Sequence, residues 1–97
     1  MTALRAGSSA LHAASAGGHL DIMKLLLDHD ADINLTDQEN MTPLHYAVIS
    51  GGKEAVSLLL KNGADTSIKT KEGKTALDIA RELAEEELAE EENDIAG

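Results

Sequence analysis

The chain is predicted to fold as an all-α solenoid of stacked helix-turn-helix units joined by β-hairpin turns. Three observations predict it. A six-residue block, Ser9-Ala10-Leu11-His12-Ala13-Ala14, recurs as Thr42-Pro43-Leu44-His45-Tyr46-Ala47 and as Thr75-Ala76-Leu77-Asp78-Ile79-Ala80, each step being 33 residues. Periods of this length mark stacked repeats. Each block is followed by a Leu-rich segment, with Leu25-Leu26-Leu27 matching Leu58-Leu59-Leu60 in the same register. Gly, Asp and Asn punctuate the units at fixed offsets, Gly18 matching Gly51 and Asp30-Ala31-Asp32 matching Gly63-Ala64-Asp65.

The elements follow in chain order. Ser9, Thr42 and Thr75 carry the hydroxyl that caps a helix N-terminus. His12, His45 and Asp78 stand three residues on, where a side chain reaches back to the cap as in a capping box. Pro43 suits the first helical position, where its missing N–H costs nothing. First helices are expected over 10–16 and 43–50, ended by Gly18 and Gly51 in the left-handed conformation. Second helices are expected over 20–29 and 53–62. Their apolar residues, Leu20, Ile22, Met23 and Leu25 to Leu27, then Ala55, Val56 and Leu58 to Leu60, give each one broad buried face. Asp21 and Glu54 fall in the first turns, where the helix dipole favours negative charge. Polar stretches at 30–41 and 63–74, the latter opening on Gly63, read as extended turns or hairpins. The positions matching Leu58 to Leu60 in the third unit are Glu91, Glu92 and Asn93, so 76–92 reads as one extended helix without an apolar second helix.

This pattern, G-x-T-P-L-H-x-A with a following Leu-rich helix and G-A-D, resembles the ankyrin repeat over about residues 7–84. The resemblance implies a single ankyrin-repeat domain over 1–97: repeat one at about 7–39, repeat two at about 40–72, and a partial third at about 73–84 running into an acidic terminal helix and tail at 85–97. It implies structural roles for Ser9, Leu11, His12, Gly18, Thr42, Pro43, Leu44, His45, Gly51, Gly63, Thr75 and Asp78. Asp30 and Asn40 stand where the family prefers Gly. Both are expected at positive φ, which Asp and Asn tolerate best after Gly. Replacing either with Gly is therefore expected to stabilise slightly.

Composition narrows the function classes. The chain has 97 residues, so one domain is expected. It has no Cys, which excludes a disulfide scaffold, thiol catalysis and Cys-type zinc sites. Its net charge of −10 disfavours phosphate-backbone binding, and Tyr46 alone could stack on a base. No apolar run approaches the ~20 residues of a membrane span, and Met1 to Ser9 lack a signal-peptide centre. A cytoplasmic or nuclear monomer is the expectation. Residues 81–97 hold eight acidic side chains and one basic, so most of the charge belongs to the C-terminal end. That stretch reads as a solvated cap of the stack, with a docking surface for a basic partner as the alternative.

No cofactor or metal is expected. Asp28, Asp30, Asp32 and Glu39 match the oxygen spacing of a calcium loop, but Ile33 occupies the position that needs Gly. No two His are spaced i, i+4, and no G-x-S-x-G elbow or phosphate loop occurs. The chain is therefore read as a non-enzyme. The resemblance implies a protein-interaction module that binds its partner on a concave side made of hairpin tips and first helices. The matching positions are Gln38, Glu39, Met41, Ile49 and Ser50 in repeat two, Ser8, Ala16 and Gly17 in repeat one, and Lys71, Glu72, Lys74, Glu82 and Leu83 in the third. The alternatives are an accessory domain of a larger enzyme or lipid- or acyl-carrier-binding protein, and a calcium-binding acidic module.

Overall fold

The computed structural model describes residues 2–85, with side chains from residue 10 onward. Five helical segments occur among them: α1 (Thr2–Gly17), α2 (Leu20–Asp28), α3 (Pro43–Ser50), α4 (Lys53–Lys61) and α5 (76–85, the end of the described chain). Two residues separate α1 from α2 and α3 from α4, so each pair reverses tightly. Gly18 at φ 69° and Gly51 at φ 77° supply the left-handed step. α1 packs on α3 and α2 on α4, which makes a layer of first helices beside a layer of second helices.

The core lies between these layers. Leu11, Ala14, Met23, Leu44, Ala47, Ala55, Leu59 and Ala76 form one buried cluster. Ala76 brings α5 into it. The buried face of the second helices is narrower than the sequence suggests. Met23 is fully buried in α2, whereas Ile22 and Leu25 are about half exposed. In α4, Ala55 and Leu59 are buried and Leu60 is exposed. A helix between two neighbours buries one stripe, and α2 has a described neighbour on only one side of its layer.

The expected β-hairpins are absent: no strand occurs among the described residues. The segments between units are turns built on side chains. Asp37 Oδ1 accepts the N–H groups of Glu39 and Met41, both at 2.9 Å. One unit later Thr70 Oγ1 accepts those of Glu72 and Lys74 at 3.2 and 3.4 Å. Each turn then closes with a backbone bond, Asp37 N to Met41 O at 3.0 Å and Thr70 N to Lys74 O at 2.9 Å. A ladder needs successive paired residues. Here side-chain oxygens take the N–H groups, and an isolated two-stranded ribbon is marginal in any case.

The first cap is also corrected. α1 begins at Thr2, so Ser9 lies inside a helix rather than at its start, and His12 is no longer in the first turn. Thr42 and Pro43 explain the difference. Proline disfavours helical backbone at the preceding residue. Thr42 is accordingly extended, at φ −94° and ψ 168°. Repeat one has Ala10 in place of proline, and nothing stops Ala3-Leu4-Arg5-Ala6 from continuing the helix. The expected helix over 76–92 is described only to residue 85; its remainder, and the acidic residues from 86 to 97, lie outside the described residues.

Candidate functional site

Two caps set the geometry of the site. In the first, Thr42 Oγ1 accepts from His45 N at 3.3 Å while His45 Nδ1 accepts from Thr42 N at 3.0 Å. In the second, Asp78 Oδ2 accepts from Thr75 N at 3.1 Å and Thr75 Oγ1 from Asp78 N at 3.2 Å. Because His45 Nδ1 accepts, its Nε2 carries the proton and donates to Lys74 O at 3.3 Å. His12 Nε2 donates to Met41 O at 3.0 Å in the same relation, which ties each first helix to the turn of the next unit. Burial pushes the His45 pKa down, against the opposing pull of the Lys74 carbonyl.

Further bonds fix one turn against the next. Lys71 N donates to Glu39 O at 3.1 Å, Asn40 Nδ2 to Lys69 O at 2.6 Å and Asp65 N to Asn34 Oδ1 at 2.7 Å. The Tyr46 hydroxyl donates to Asp37 Oδ2. That bond, with desolvation, pushes the Tyr46 pKa up to about 12. Burial alone would raise the Asp37 pKa, but the Tyr46 hydroxyl and the N–H groups of Met41 and Glu39 outweigh it and leave the carboxyl lowered. His12 stands edge-on to the Tyr46 ring, with centroids 5.4 Å apart.

Between the turns and α5 lies a groove of about 460 Å³, lined by Glu39, Met41, Ile49, Thr70, Lys71, Glu72, Lys74, Ile79 and Glu82. Its apolar surface comes from half-buried Met41 and Ile79 and from Ile49, which is 48% exposed. Lys74 Nζ and Glu82 Oε1 pair at 2.9 Å across it, and Glu82 raises the Lys74 pKa. The structure thus brings Glu39, Met41, Ile49, Lys71, Glu72, Lys74 and Glu82 together. Gln38 and Ser50 are exposed beside the groove without lining it, and Leu83 is half-buried elsewhere on α5. Ala16 borders a second hollow of about 320 Å³ with His12, Ala13, Asp37 and Tyr46. Gly17 is exposed, and the Ser8 side chain lies outside the described residues.

Sequence reasoning missed Thr70 and Ile79 in the lining. Both had a signal. Thr70 matches Asp37 one unit earlier, and Ile79 matches Tyr46, on the same face of a first helix. Among the described residues no group of three or more His, Cys, Asp or Glu could hold a metal ion, and no helix is long and apolar enough to cross a membrane. In the calcium-like segment, Asp32 Oδ1 accepts from Asn34 N at 2.9 Å, which uses that oxygen to shape a turn.

Comparison with known proteins places this geometry. The sequence model of a family described as ankyrin repeats (three copies) matches residues 2–70. An ankyrin repeat-containing protein of Schizosaccharomyces pombe is 45% identical over 38 residues, which is 39% of this chain and 18% of that protein. The chain therefore aligns with less than a fifth of the length of that relative.

Proposed function

From the premise that the chain belongs to the ankyrin-repeat family, whose repeat domains are generally non-catalytic interaction scaffolds, we propose that it binds a partner protein along the groove between its turns and first helices. The observation that carries this reading is the cluster of Met41, Ile49 and Ile79, apolar side chains at an open surface framed by Glu39, Lys71, Glu72 and the Lys74–Glu82 pair. Protein interfaces concentrate their energy in a few apolar anchors surrounded by a polar rim. The turn-to-turn hydrogen bonds support the reading further, because they hold the groove rigid before a partner arrives and so lower the ordering cost of binding.

Met41→Glu and Ile49→Glu are each expected to abolish partner binding while leaving the helical circular dichroism spectrum unchanged. Affinity capture with mass spectrometry, comparing the wild type with Ile49→Glu, identifies partners that depend on the groove. Partners captured equally by the wild type and both variants would sink the proposal. A monomeric module in cytoplasm or nucleus is part of the same proposal.

A further inference from the structure

Four asparagines occur in the chain, and Asn62 is the one followed by glycine; Asn34, Asn40 and Asn93 precede Leu35, Met41 and Asp94. The backbone nitrogen that follows an asparagine can attack its side-chain amide, and a glycine there has no Cβ to obstruct the approach. Asn62 is exposed at the C-cap of α4, and the space beside Gly63 is open for 4 Å around the place of a Cβ. The fold nevertheless holds both reacting groups. Asn62 Nδ2 donates to Leu58 O at 2.8 Å. Gly63 N donates to Leu60 O at 3.1 Å and Ala64 N to Leu59 O at 3.0 Å. With Gly63 at φ 85°, these two backbone bonds make a Schellman ending. Ala64 packs against the core, and Leu59 is fully buried in it. α2 ends in the same way, with Asp30 N donating to Leu27 O at 3.1 Å and Ala31 N to Leu26 O at 3.0 Å. There His29 stands in place of Asn62, so that ending has no side-chain amide to react.

We propose that Asn62–Gly63 is a site of spontaneous deamidation, which the hydrogen-bonded end of α4 keeps shut and which reacts when the last turn of that helix opens. Helix ends are among the segments that open at low free energy. In the open segment Gly63 N loses its proton to hydroxide and bonds to Asn62 Cγ. The Cγ–Nδ2 bond breaks, and Nδ2 takes a proton from water and leaves as ammonia. Water then opens the cyclic imide at either carbonyl. Opening at Cγ gives aspartate; opening at the backbone carbonyl gives isoaspartate, in which the chain runs through the former side chain. The net change consumes one water and releases one ammonia, with no oxidation. Either product damages the ending. Aspartate has no N–H for Leu58 O, and its charge faces the carbonyl end of the helix. Isoaspartate lengthens the backbone by one carbon, so the Gly63 and Ala64 N–H groups no longer fall opposite Leu60 O and Leu59 O. Asp65 N, which donates to Asn34 Oδ1 at 2.7 Å, moves with them. The modification therefore acts on the joint between the two complete repeats.

The test incubates the full chain in mildly alkaline buffer, folded and in guanidinium chloride. Residues 62–69 are followed as a tryptic peptide by mass spectrometry, and isoaspartate is identified by enzymatic methylation. In denaturant Asn62 is expected to convert mostly to isoaspartate, well ahead of Asn34 and Asn40. In the folded chain the same conversion is expected to run about tenfold or more slowly, because only the open fraction reacts. Ala64→Pro removes the N–H given to Leu59 O and is expected to bring the folded rate up toward the denatured one. Should that variant lose its helical spectrum, hydrogen exchange of the wild type serves instead, and the Gly63 amide is expected to exchange slowly in the folded chain. The deamidated fraction, separated by its added negative charge, is expected to have a lower urea midpoint than the unmodified chain. Equal conversion rates in the folded and denatured chains overturn the proposal. A folded rate unchanged by Ala64→Pro, or a Gly63 amide that exchanges at the denatured rate, overturns it too. So does an Asn62 that converts no faster than Asn34 and Asn40 in denaturant, and an unchanged midpoint refutes the effect on the joint.

Discussion

Asp30 and Asn40 share a left-handed backbone, at φ 65° and 60°, but not the same consequence of replacing them. Asp30 is exposed at the end of α2, and Gly there removes the steric cost of positive φ, so Asp30→Gly is expected to stabilise by about 0.5 kcal/mol. Asn40 also donates Nδ2 to Lys69 O at 2.6 Å. Asn40→Gly loses that bond between neighbouring turns, worth about 1 kcal/mol, and is expected to lower the urea midpoint slightly. The sequence showed that both sites need positive φ; it did not show a partner 29 residues away. Tyr46 offers a second residue-scale measurement, because it is the only aromatic side chain among Phe, Trp and Tyr. Its absorbance titration is expected to centre at about 12 in the folded chain and near the ordinary value of about 10 in denaturant. The raised value means that the contribution of Tyr46 to stability is complete below about pH 10 and is lost as pH climbs from there toward about 12. A folded-state midpoint near 10 would show that the bond to Asp37 is not made.

The helices differ in how their starts are encoded. α3 begins where Thr42, Pro43 and His45 say it should, because a capping box and a proline act within four residues. α1 has neither a proline nor an obligatory break, and its start moves back to Thr2. The α3 cap also carries a pH dependence. The folded-state pKa of His45 is lowered, chiefly by burial, so its neutral form stabilises the fold at neutral pH. That contribution is lost as pH falls below the unfolded value of about 6.5. Protonation would also place a proton on Nδ1, which accepts from Thr42 N. The thermal midpoint is expected to fall between pH 7 and pH 5, above the range of the carboxylates, and His45→Gln is expected to flatten that slope. An identical slope in the variant would assign the effect to another group. The turns teach the same lesson from the other side. Their residues mark them as turns, but whether Asp37 and Thr70 shape a ribbon or cap a loop depends on where their oxygens point, and they cap a loop.

At the scale of the whole molecule, one thin cluster of buried Leu, Met and Ala joins both complete repeats to α5. Leu59 is fully buried within it. Leu59→Ala is expected to cost about 3 kcal/mol, a large part of the stability of so small a stack. Urea unfolding is expected to remain a single transition with a lower midpoint; two separated transitions would show that the repeats unfold independently. The sequence by itself determined the 33-residue period, the family, the places of α2, α3 and α4 and the positive-φ turns. Each rests on a cap, a glycine or an apolar stripe acting within a few residues of chain. Most of the groove was legible too, because repeat register carries Glu39, Met41 and Ile49 to the same side as Lys71, Glu72 and Lys74. Only the tertiary structure decided which leucines are covered, that Ile79 and Thr70 join the groove, and that His12 and His45 bond to the turns of the next unit. Those outcomes depend on neighbours about one repeat away in sequence, and burial and hydrogen bonding across that distance exist only once the units are stacked.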